Sequence, residues 1–195
     1  MAKILFLTSL VLLLFAEGTT VCAQSEKRIY TKAEQESAAR RQADKQLEAL
    51  RDSLAYADAV KALENLDFVL EADQLTFKRG RTAFVNSNTN FISLCDDEAV
   101  VQVAPFNGGG PNGVGGITVA GRAANIVMKT TKKGDTYFSM NVTGAGISAY
   151  VNITLPKGTS KASVTVTPNF HSNRVTLTGE LMPSSRSSVF KGTSL

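Results

Sequence analysis

The chain has 195 residues, of which 43% are hydrophobic and 19% are charged, and this length suits one domain with attachments. The net charge is +4, from 21 Lys and Arg against 17 Asp and Glu, an excess that is compatible with anionic partners without implying them. If Cys22 is removed with a signal peptide, the one remaining cysteine and the single histidine are too few for a zinc site built from Cys and His.

The first 23 residues have the pattern of a secretory signal peptide. Residues 4–16 form an apolar run that follows Lys3 and is shorter than the about 20 residues of a membrane-spanning helix. Small residues follow, so we predict cleavage between Ala23 and Gln24 and an exported protein, periplasmic or secreted. No other stretch is apolar enough to span a bilayer, so the mature chain is expected to have no transmembrane segment.

A lipid anchor on Cys22 is the less favoured alternative. A bacterial lipobox has Ala, Gly or Ser before the acylated cysteine, whereas this sequence has Val21. Cleavage after Ala23 leaves Cys95 as the single cysteine of the mature chain. Such a chain has no internal disulfide and depends on its core for stability.

Residues 24–66 are predicted to be a charged helical lead followed by an amphipathic helix. The lead is rich in Ala, Glu, Lys, Arg and Gln, which are good helix formers. Apolar residues then recur at spacings of three and four, with a small drift: Leu47, Leu50, Leu54, Ala57, Val60, Leu63 and Leu66. We expect this stripe to bury Leu47, Leu50, Leu54 and Leu63 against a sheet or over an open barrel end.

Residues 67–182 have the features of a β domain. Apolar and polar residues alternate with a period of two in much of this region, which is typical of antiparallel strands with one buried and one solvated face. Ten segments are strand candidates: 67–71, 74–78, 89–95, 98–103, 117–122, 124–130, 135–143, 147–155, 161–167 and 173–181. They predict a mainly β fold, an antiparallel β-sandwich or small β-barrel of about nine strands, with one N-terminal amphipathic helix.

The Ser-rich end of the chain, residues 183–195, is expected to be a flexible tail unless Val189 and Phe190 dock onto the β domain.

Two of the segments, 135–143 and 147–155, are predicted to form a hairpin. Their inward residues are even-numbered in the first strand and odd-numbered in the second, so the pairing must match even with odd positions to keep both sets on one face. A two-residue turn at Gly144–Ala145 satisfies this condition. It places Phe138 opposite Val151, and Met140 opposite Ala149.

The glycine-rich stretch 105–122 contains the pattern G-x-G-x-x-G at Gly108, Gly110 and Gly113. In a dinucleotide site this pattern leaves a strand and opens a helix, whose N–H groups meet the pyrophosphate. Here the residues that follow alternate as a strand, and Pro111 removes an N–H from the middle of the cradle. The stretch is therefore interpreted as a connection and not as a phosphate site.

Residues 104–116 form this long connection, and we predict that a recognition site would lie around it. Long connections in compact domains are often either functional or simply mobile. Phe106 and Asn107 stand at its entrance, and Arg79 and Arg81 are candidates to flank it. These four residues are the predicted binding residues.

The order of motifs resembles one known family. The run "DFVLEADQLTFKRGRTAFVNSNTNFISLCDDEAVVQVAPFNGGGPNGVGGITVAGR", followed by "YFSMNVTG" and "VTLTGEL", is similar to domain-of-unknown-function family 4251. The resemblance covers about residues 60–190. It implies a secreted protein of Bacteroidetes with a signal peptide, a charged helical lead and a β-rich body, and it brings no activity, substrate or catalytic residue.

Catalytic patterns are scarce. His171, the only histidine, falls in a predicted turn, and no G-x-S-x-G elbow occurs. Carboxylates are close together in the β domain only at Glu71 with Asp73 and at residues 96–98, the latter better read as a hairpin turn. No catalytic residue, metal site or cofactor is predicted, although carboxylates brought together by the fold are the basis of a hydrolase interpretation.

The favoured interpretation is an exported, non-enzymatic binding or structural module of the bacterial envelope. The alternative is a β-barrel carrier of a small apolar ligand, and the third is a secreted hydrolase that uses carboxylates. A closed lumen lined by Phe138, Met140 and Val151 would favour the carrier. Candidate partners are an envelope protein, a glycan or a small apolar ligand, whereas nucleic acid is not expected because the basic residues are not interleaved with aromatic ones.

Overall fold

The computed structural model describes residues 31–105, 113, 115–145, 147–170 and 173–194. The predicted cleavage site at Ala23–Gln24 lies outside the described residues, as do Phe106, Asn107 and His171. The chain divides into two units, residues 1–42 and residues 43–195. No helix of the described residues is both long and apolar enough to cross a bilayer.

Helix α1 runs from Lys32 to Glu64. It begins with a capping box, in which the Glu34 amide donates to Thr31 Oγ1 at 3.3 Å and the Thr31 amide donates to Glu34 Oε2 at 2.8 Å. These bonds satisfy backbone donors that have no partner within the first turn of a helix. The helical lead predicted from composition is thus a true helix from Lys32 onwards.

The prediction that α1 buries its whole leucine stripe is wrong. Leu63 is fully buried, but Leu47, Leu50 and Leu54 are 49%, 62% and 68% exposed. Leu54 and Leu63 are nine residues apart, which is two and a half turns at about 3.6 residues per turn, so they point to opposite faces. Each step of three residues falls short of a full turn, and the drift of the stripe therefore adds up to half a rotation.

In the described part of the chain, nine antiparallel strands follow the helix. They are β1 Asp67–Phe77, β2 Thr82–Phe84, β3 Phe91–Cys95, β4 Glu98–Val103, β5 Ile117–Thr130, β6 Thr136–Gly144, β7 Ile147–Leu155, β8 Lys161–Pro168 and β9 Val175–Pro183. They are hydrogen-bonded in the order β2-β1-β3-β4-β5-β6-β7-β8-β9, and β1 also pairs with β9. The sheet therefore closes on itself as an eight-stranded barrel, with β2 as an extra strand, and the barrel alternative of the sequence prediction is confirmed.

Two predicted interruptions are bulges within long strands. The segments 67–71 and 74–78 belong to the single strand β1, whose pairing with β9 shifts register between Ala72 and Gln74. The segments 117–122 and 124–130 likewise form β5, with a register shift against β6 between Ala124 and Val127. A bulge bends a strand and increases its twist without ending it, which helps a long strand to follow the wall of a barrel.

The predicted hairpin is present, but its register is wrong by two residues. Phe138 lies opposite Ile153, and Met140 lies opposite Val151. The residues that face inward are nevertheless the predicted ones, because side chains alternate between faces and a shift of two residues leaves each on its own face. The strand continues through Gly144, where a Cβ would lie 2.4 Å from the Ala120 carbonyl oxygen. This glycine permits close approach to β5, so the turn falls one residue later than predicted.

The barrel interior is filled over much of its length. The rings of Phe68 and Phe138 meet edge to face, with centroids 5.5 Å apart. Around them lie fully buried aliphatic side chains from most strands: Leu70, Leu75, Ile92, Leu94, Met140, Val151, Ile153, Leu155, Val164 and Leu177. The three residues expected to line a carrier's lumen, Phe138, Met140 and Val151, are part of this packed core.

The end of the chain docks on the outside of the barrel. Val189 packs against a small cluster of Val69, Phe91 and Val100. The buried amide of Gln102 donates from Nε2 to the Phe190 carbonyl oxygen at 2.8 Å and accepts at Oε1 from the Gly192 amide at 2.8 Å. The sequence left this docking open as the alternative to a flexible tail, and in the structure residues up to Gly192 are hydrogen-bonded to the barrel.

Candidate functional site at the open end of the barrel

The connections between strands fall at two ends of the barrel. Because the strands are antiparallel, the connections that follow β1, β4, β6 and β8 lie at one end. Their described residues are 78–81, 104–105, 113, 115–116, 145, 169–170 and 173–174, and we call this end the open end. The other end, which we call the closed end, holds residues 65–66, 96–97, 131–135 and 156–160.

Helix α1 covers the closed end. Ala59, Ala62 and Leu63 are buried in the same hydrophobic cluster as the barrel interior. The Tyr56 hydroxyl donates to the carbonyl oxygen of Gly134, in the connection between β5 and β6. The amide of Asp96, in another closed-end connection, donates to the Leu66 carbonyl oxygen at 3.0 Å.

At the open end, a cavity of about 660 Å³ enters the barrel. Its inner walls are aliphatic, from Val101 on β4, Val119 on β5, Ala149 on β7 and Val166 on β8. Val101 is paired with Val119, two residues inside the strand ends, which puts them about 7 Å below the rim. The next inward residues belong to the filled core, so the cavity is a cup and not a channel.

Basic residues stand at the rim of this cavity. Lys78, Arg79 and Arg81 come from the β1–β2 turn, and Arg174 comes from the connection before β9. The turn is tight, because the Gly80 amide donates to the Phe77 carbonyl oxygen and Gly80 has a φ of 76°, which favours glycine. All four basic side chains are exposed.

The two segments that carry these basic residues, the β1–β2 turn and the connection before β9, leave strands that are neighbours in the sheet. Phe77 at the end of β1 is paired with Val175 at the start of β9. The residues that follow Phe77 and the residue that precedes Val175 therefore lie side by side. The guanidinium of Arg81 also lies over the Phe77 ring, 6.0 Å from its centroid, which is within the range of a cation–π contact.

No acidic side chain is present among the described residues of the cavity lining. The ion pairs found in the described part of the chain, Arg122 with Asp97 at 3.3 Å and Arg186 with Asp58 at 2.6 Å, involve other arginines. The described lining therefore contributes four basic side chains and no acidic one.

The structure brings together two of the four predicted binding residues. Arg79 and Arg81 line the cavity. Val103 and Ile117, from which the predicted recognition connection leaves the barrel, line it too. Arg174 and the valines of the inner walls also line the cavity but were not among the predicted binding residues. Strand alternation marks the valines as inward, but no sequence pattern shows which inward residues meet a cavity and which meet packed side chains.

Two of the carboxylates considered for a hydrolase, Glu71 and Asp97, have partners elsewhere in the structure. Glu71 Oε1 accepts from Ser187 Oγ at 2.7 Å and from the Ser188 amide at 3.2 Å, which helps to hold the chain end. Asp97 is paired with Arg122 at the closed end. Within the described ranges no three His, Cys, Asp or Glu side chains are grouped so that they would hold a metal ion.

Comparisons with known proteins agree with this fold. The family model of the domain of unknown function DUF4251 matches residues 50–181. The crystal structure of a DUF4251 family protein from Bacteroides eggerthii DSM 20697 is 47% identical in sequence and superposes with a TM-score of 0.64. The match covers 75% of this chain and 99% of that chain. No curated protein matches.

Proposed function

We propose, from the premise that the chain belongs to the DUF4251 family of domains of unknown function, that its barrel binds one small molecule with an apolar portion at the open end. The observation that carries the proposal is the aliphatic cup of about 660 Å³, which lies in the size range of ligand pockets. Small eight-stranded barrels are either filled by side chains or hold one small ligand. This barrel is filled towards the closed end and leaves room at the other.

The physical drive for such binding is burial of apolar surface. Val119, Val103 and Val175 are only partly buried, although they belong to the wall of a hydrophobic core. A ligand that covers these side chains removes apolar area from water, at about 25 cal/mol for each Å². The cup is formed by strands held in a closed ladder of hydrogen bonds, so its walls are ordered before a ligand arrives.

The module is proposed to be exported and non-enzymatic. Export is supported by the apolar run at residues 4–16 and the small residues before Gln24. A bacterial envelope is supported by the Bacteroides source of the similar crystal structure. The mass of the protein purified from its native host tests this, since export without a lipid predicts a chain that begins at Gln24. A mass that corresponds to an acylated Cys22 would show a lipoprotein instead.

Binding is tested with a neutral apolar dye, N-phenylnaphthylamine, and with dodecanol as its competitor. The dye is expected to fluoresce more strongly with the protein and to be displaced by dodecanol. Val119→Phe puts a larger side chain into the cup and is expected to weaken the binding of both by about tenfold. Val127→Phe is the matched control on the same strand, because Val127 is paired with Ser139 and is 46% exposed.

Two results would contradict the proposal. A parent protein that binds neither compound would show that the cup is not a site for apolar ligands. Equal binding by Val119→Phe, Val127→Phe and the parent would show that these compounds bind elsewhere. Circular dichroism of both variants, compared with the parent, separates a lost site from a lost fold.

A further inference from the structure

We infer that the ligand is an anionic amphiphile, whose acidic head group is held by Arg79, Arg81 and Arg174 while its hydrocarbon part fills the cup. This inference rests on the proposed function and specifies the class of ligand. Three arginines from two connections line the mouth of the same cavity, and these connections are neighbours because β1 and β9 are paired there.

Three positive charges at the mouth of one cavity favour the approach of an anion. In the described residues these three guanidinium groups have no carboxylate in ion-pair contact, whereas Arg122 and Arg186 each have one. An acidic head group at the mouth would supply the missing counter-charge. It would also be partly shielded from water, which strengthens its attraction to the arginines.

Arginine suits such a head group by its shape. The planar guanidinium presents several N–H donors in a fixed fork, which matches the oxygens of carboxylate, sulfate or phosphate. Arg81 is placed over the ring of Phe77 and is thereby oriented at the rim. A stacked guanidinium still has its N–H groups in the plane of the fork, where they can donate to an acid.

The cup requires that the anion carry a hydrocarbon part. Directly inside the rim the lining changes to aliphatic side chains. Val103 lies at the end of β4, Val101 lies two residues deeper on the same strand, and Val166 lies on β8. A free inorganic anion would satisfy the arginines and leave this apolar wall in contact with water. A neutral hydrocarbon would cover the wall and leave the arginines without a partner. One molecule that does both has its charge at one end and its chain at the other.

The test compares ligands that share a chain and differ in head group. Dodecanoate, dodecanol and dodecyltrimethylammonium are titrated as competitors of the same neutral dye, below the concentrations at which they form micelles. Dodecanoate is expected to bind roughly tenfold more tightly than dodecanol, because charge-assisted hydrogen bonds are about twice as strong as neutral ones. The ammonium compound is expected to bind most weakly.

The combined variant Arg79→Gln, Arg81→Gln, Arg174→Gln is expected to lose the preference for dodecanoate and to keep the binding of dodecanol. The matched control is Lys132→Gln, Lys133→Gln, Lys161→Gln. It also removes three positive charges, but from exposed residues at the closed end. The control is expected to keep the full preference. Added salt should reduce the preference in the parent and leave dodecanol binding nearly unchanged.

The outcomes separate this inference from the proposed function. If dodecanoate binds no better than dodecanol, the inference is overturned and the proposed function stands. If neither binds, the proposed function itself is wrong. If the arginine variant keeps the preference for dodecanoate over dodecanol, the three arginines do not bind the head group and the inference is overturned. Inorganic phosphate that displaces dodecanoate at similar concentration would show a site for free anions and would also overturn the inference.

Discussion

At the closed end of the barrel, Ala59, Ala62 and Leu63 of α1 are buried over the strand ends, whereas at the open end Val103 and Val175 stay partly exposed around a cavity of about 660 Å³. Both ends are made from the same strands, and the inward residues alternate in the same way along them. The difference comes from the segments attached to the strand ends. One end has a helix to cover it, and the other has turns that carry arginines.

The comparison shows how one small barrel supplies both stability and a site. The half of the barrel next to the closed end, which we call the closed or filled half, is packed with side chains. There Phe68 and Phe138 are in contact and most of the inward aliphatic side chains are fully buried. That packing provides the main drive for folding, because apolar burial is its dominant favourable contribution. The open half does not need to be filled, so its walls are free to contact a ligand. The same substitution should therefore have a larger effect at a packed position than at an exposed or open one, and three predictions test that distinction.

The largest effect is expected for Val151→Asp. Val151 is fully buried in the filled half, and a carboxylate there would be charged and unpaired, so we expect a loss of at least about 4 kcal/mol in unfolding free energy. Asn152→Asp is the control, because the adjacent side chain is exposed on the outer face; it should change stability by less than about 0.5 kcal/mol. Urea denaturation measures both. Similar losses for the two variants would mean that the sheet does not separate an inner face from an outer one.

A smaller loss is expected for Leu63→Ala, which tests the cover of the closed end. Leu63 is fully buried, so truncation should cost about 2–5 kcal/mol through lost burial and the cavity left behind. Leu54→Ala makes the same change on the opposite face of the helix, where the side chain is 68% exposed. It should cost less than about 0.5 kcal/mol. Thermal unfolding of the pair distinguishes the observed helix orientation from the predicted one, since equal losses would indicate that Leu54 is also buried.

The smallest effect is expected from overpacking. Val151→Phe forces a larger ring into the filled half and should cost about 1–3 kcal/mol. Val119→Phe makes the identical change in the wall of the cup, where there is room, and should cost less than about 1 kcal/mol. Denaturant midpoints at equal slope give both values. If Val119→Phe costs as much as Val151→Phe, the open half is as tightly packed as the closed half.

Much of the barrel was predictable from short-range patterns. The alternation in β6, β7 and β8 identified which residues face inward, and the burial of Phe138, Val151 and Val164 follows it. The antiparallel strands and most of their limits followed from turn sequences such as those around Gly134 and Gly158, both of which have positive φ. These features depend on the chemistry of neighbouring residues, which a sequence displays directly.

The sequence-based predictions were wrong or incomplete where a residue's role depended on a partner far away in the chain. Gly144 resembles a turn residue, but it lies within a strand because β5 approaches it closely. The leucines at positions 47, 50 and 54 resemble a buried face, but the barrel meets α1 on the side of Leu63. Among the predicted binding residues, Arg79 and Arg81 reach the cavity, yet Arg174 completes the cluster from about a hundred residues further along the chain.

The sequence by itself determined the mainly β class and the inner and outer faces of the strands, because both depend on residues close together in the chain. Only the tertiary structure decided that the sheet closes, through pairing of β1 with β9, and that one end is covered while the other is a basic-rimmed cup. Closure and cavities depend on contacts between residues far apart in sequence, and side-chain alternation is the same in an open sheet, a sandwich and a barrel.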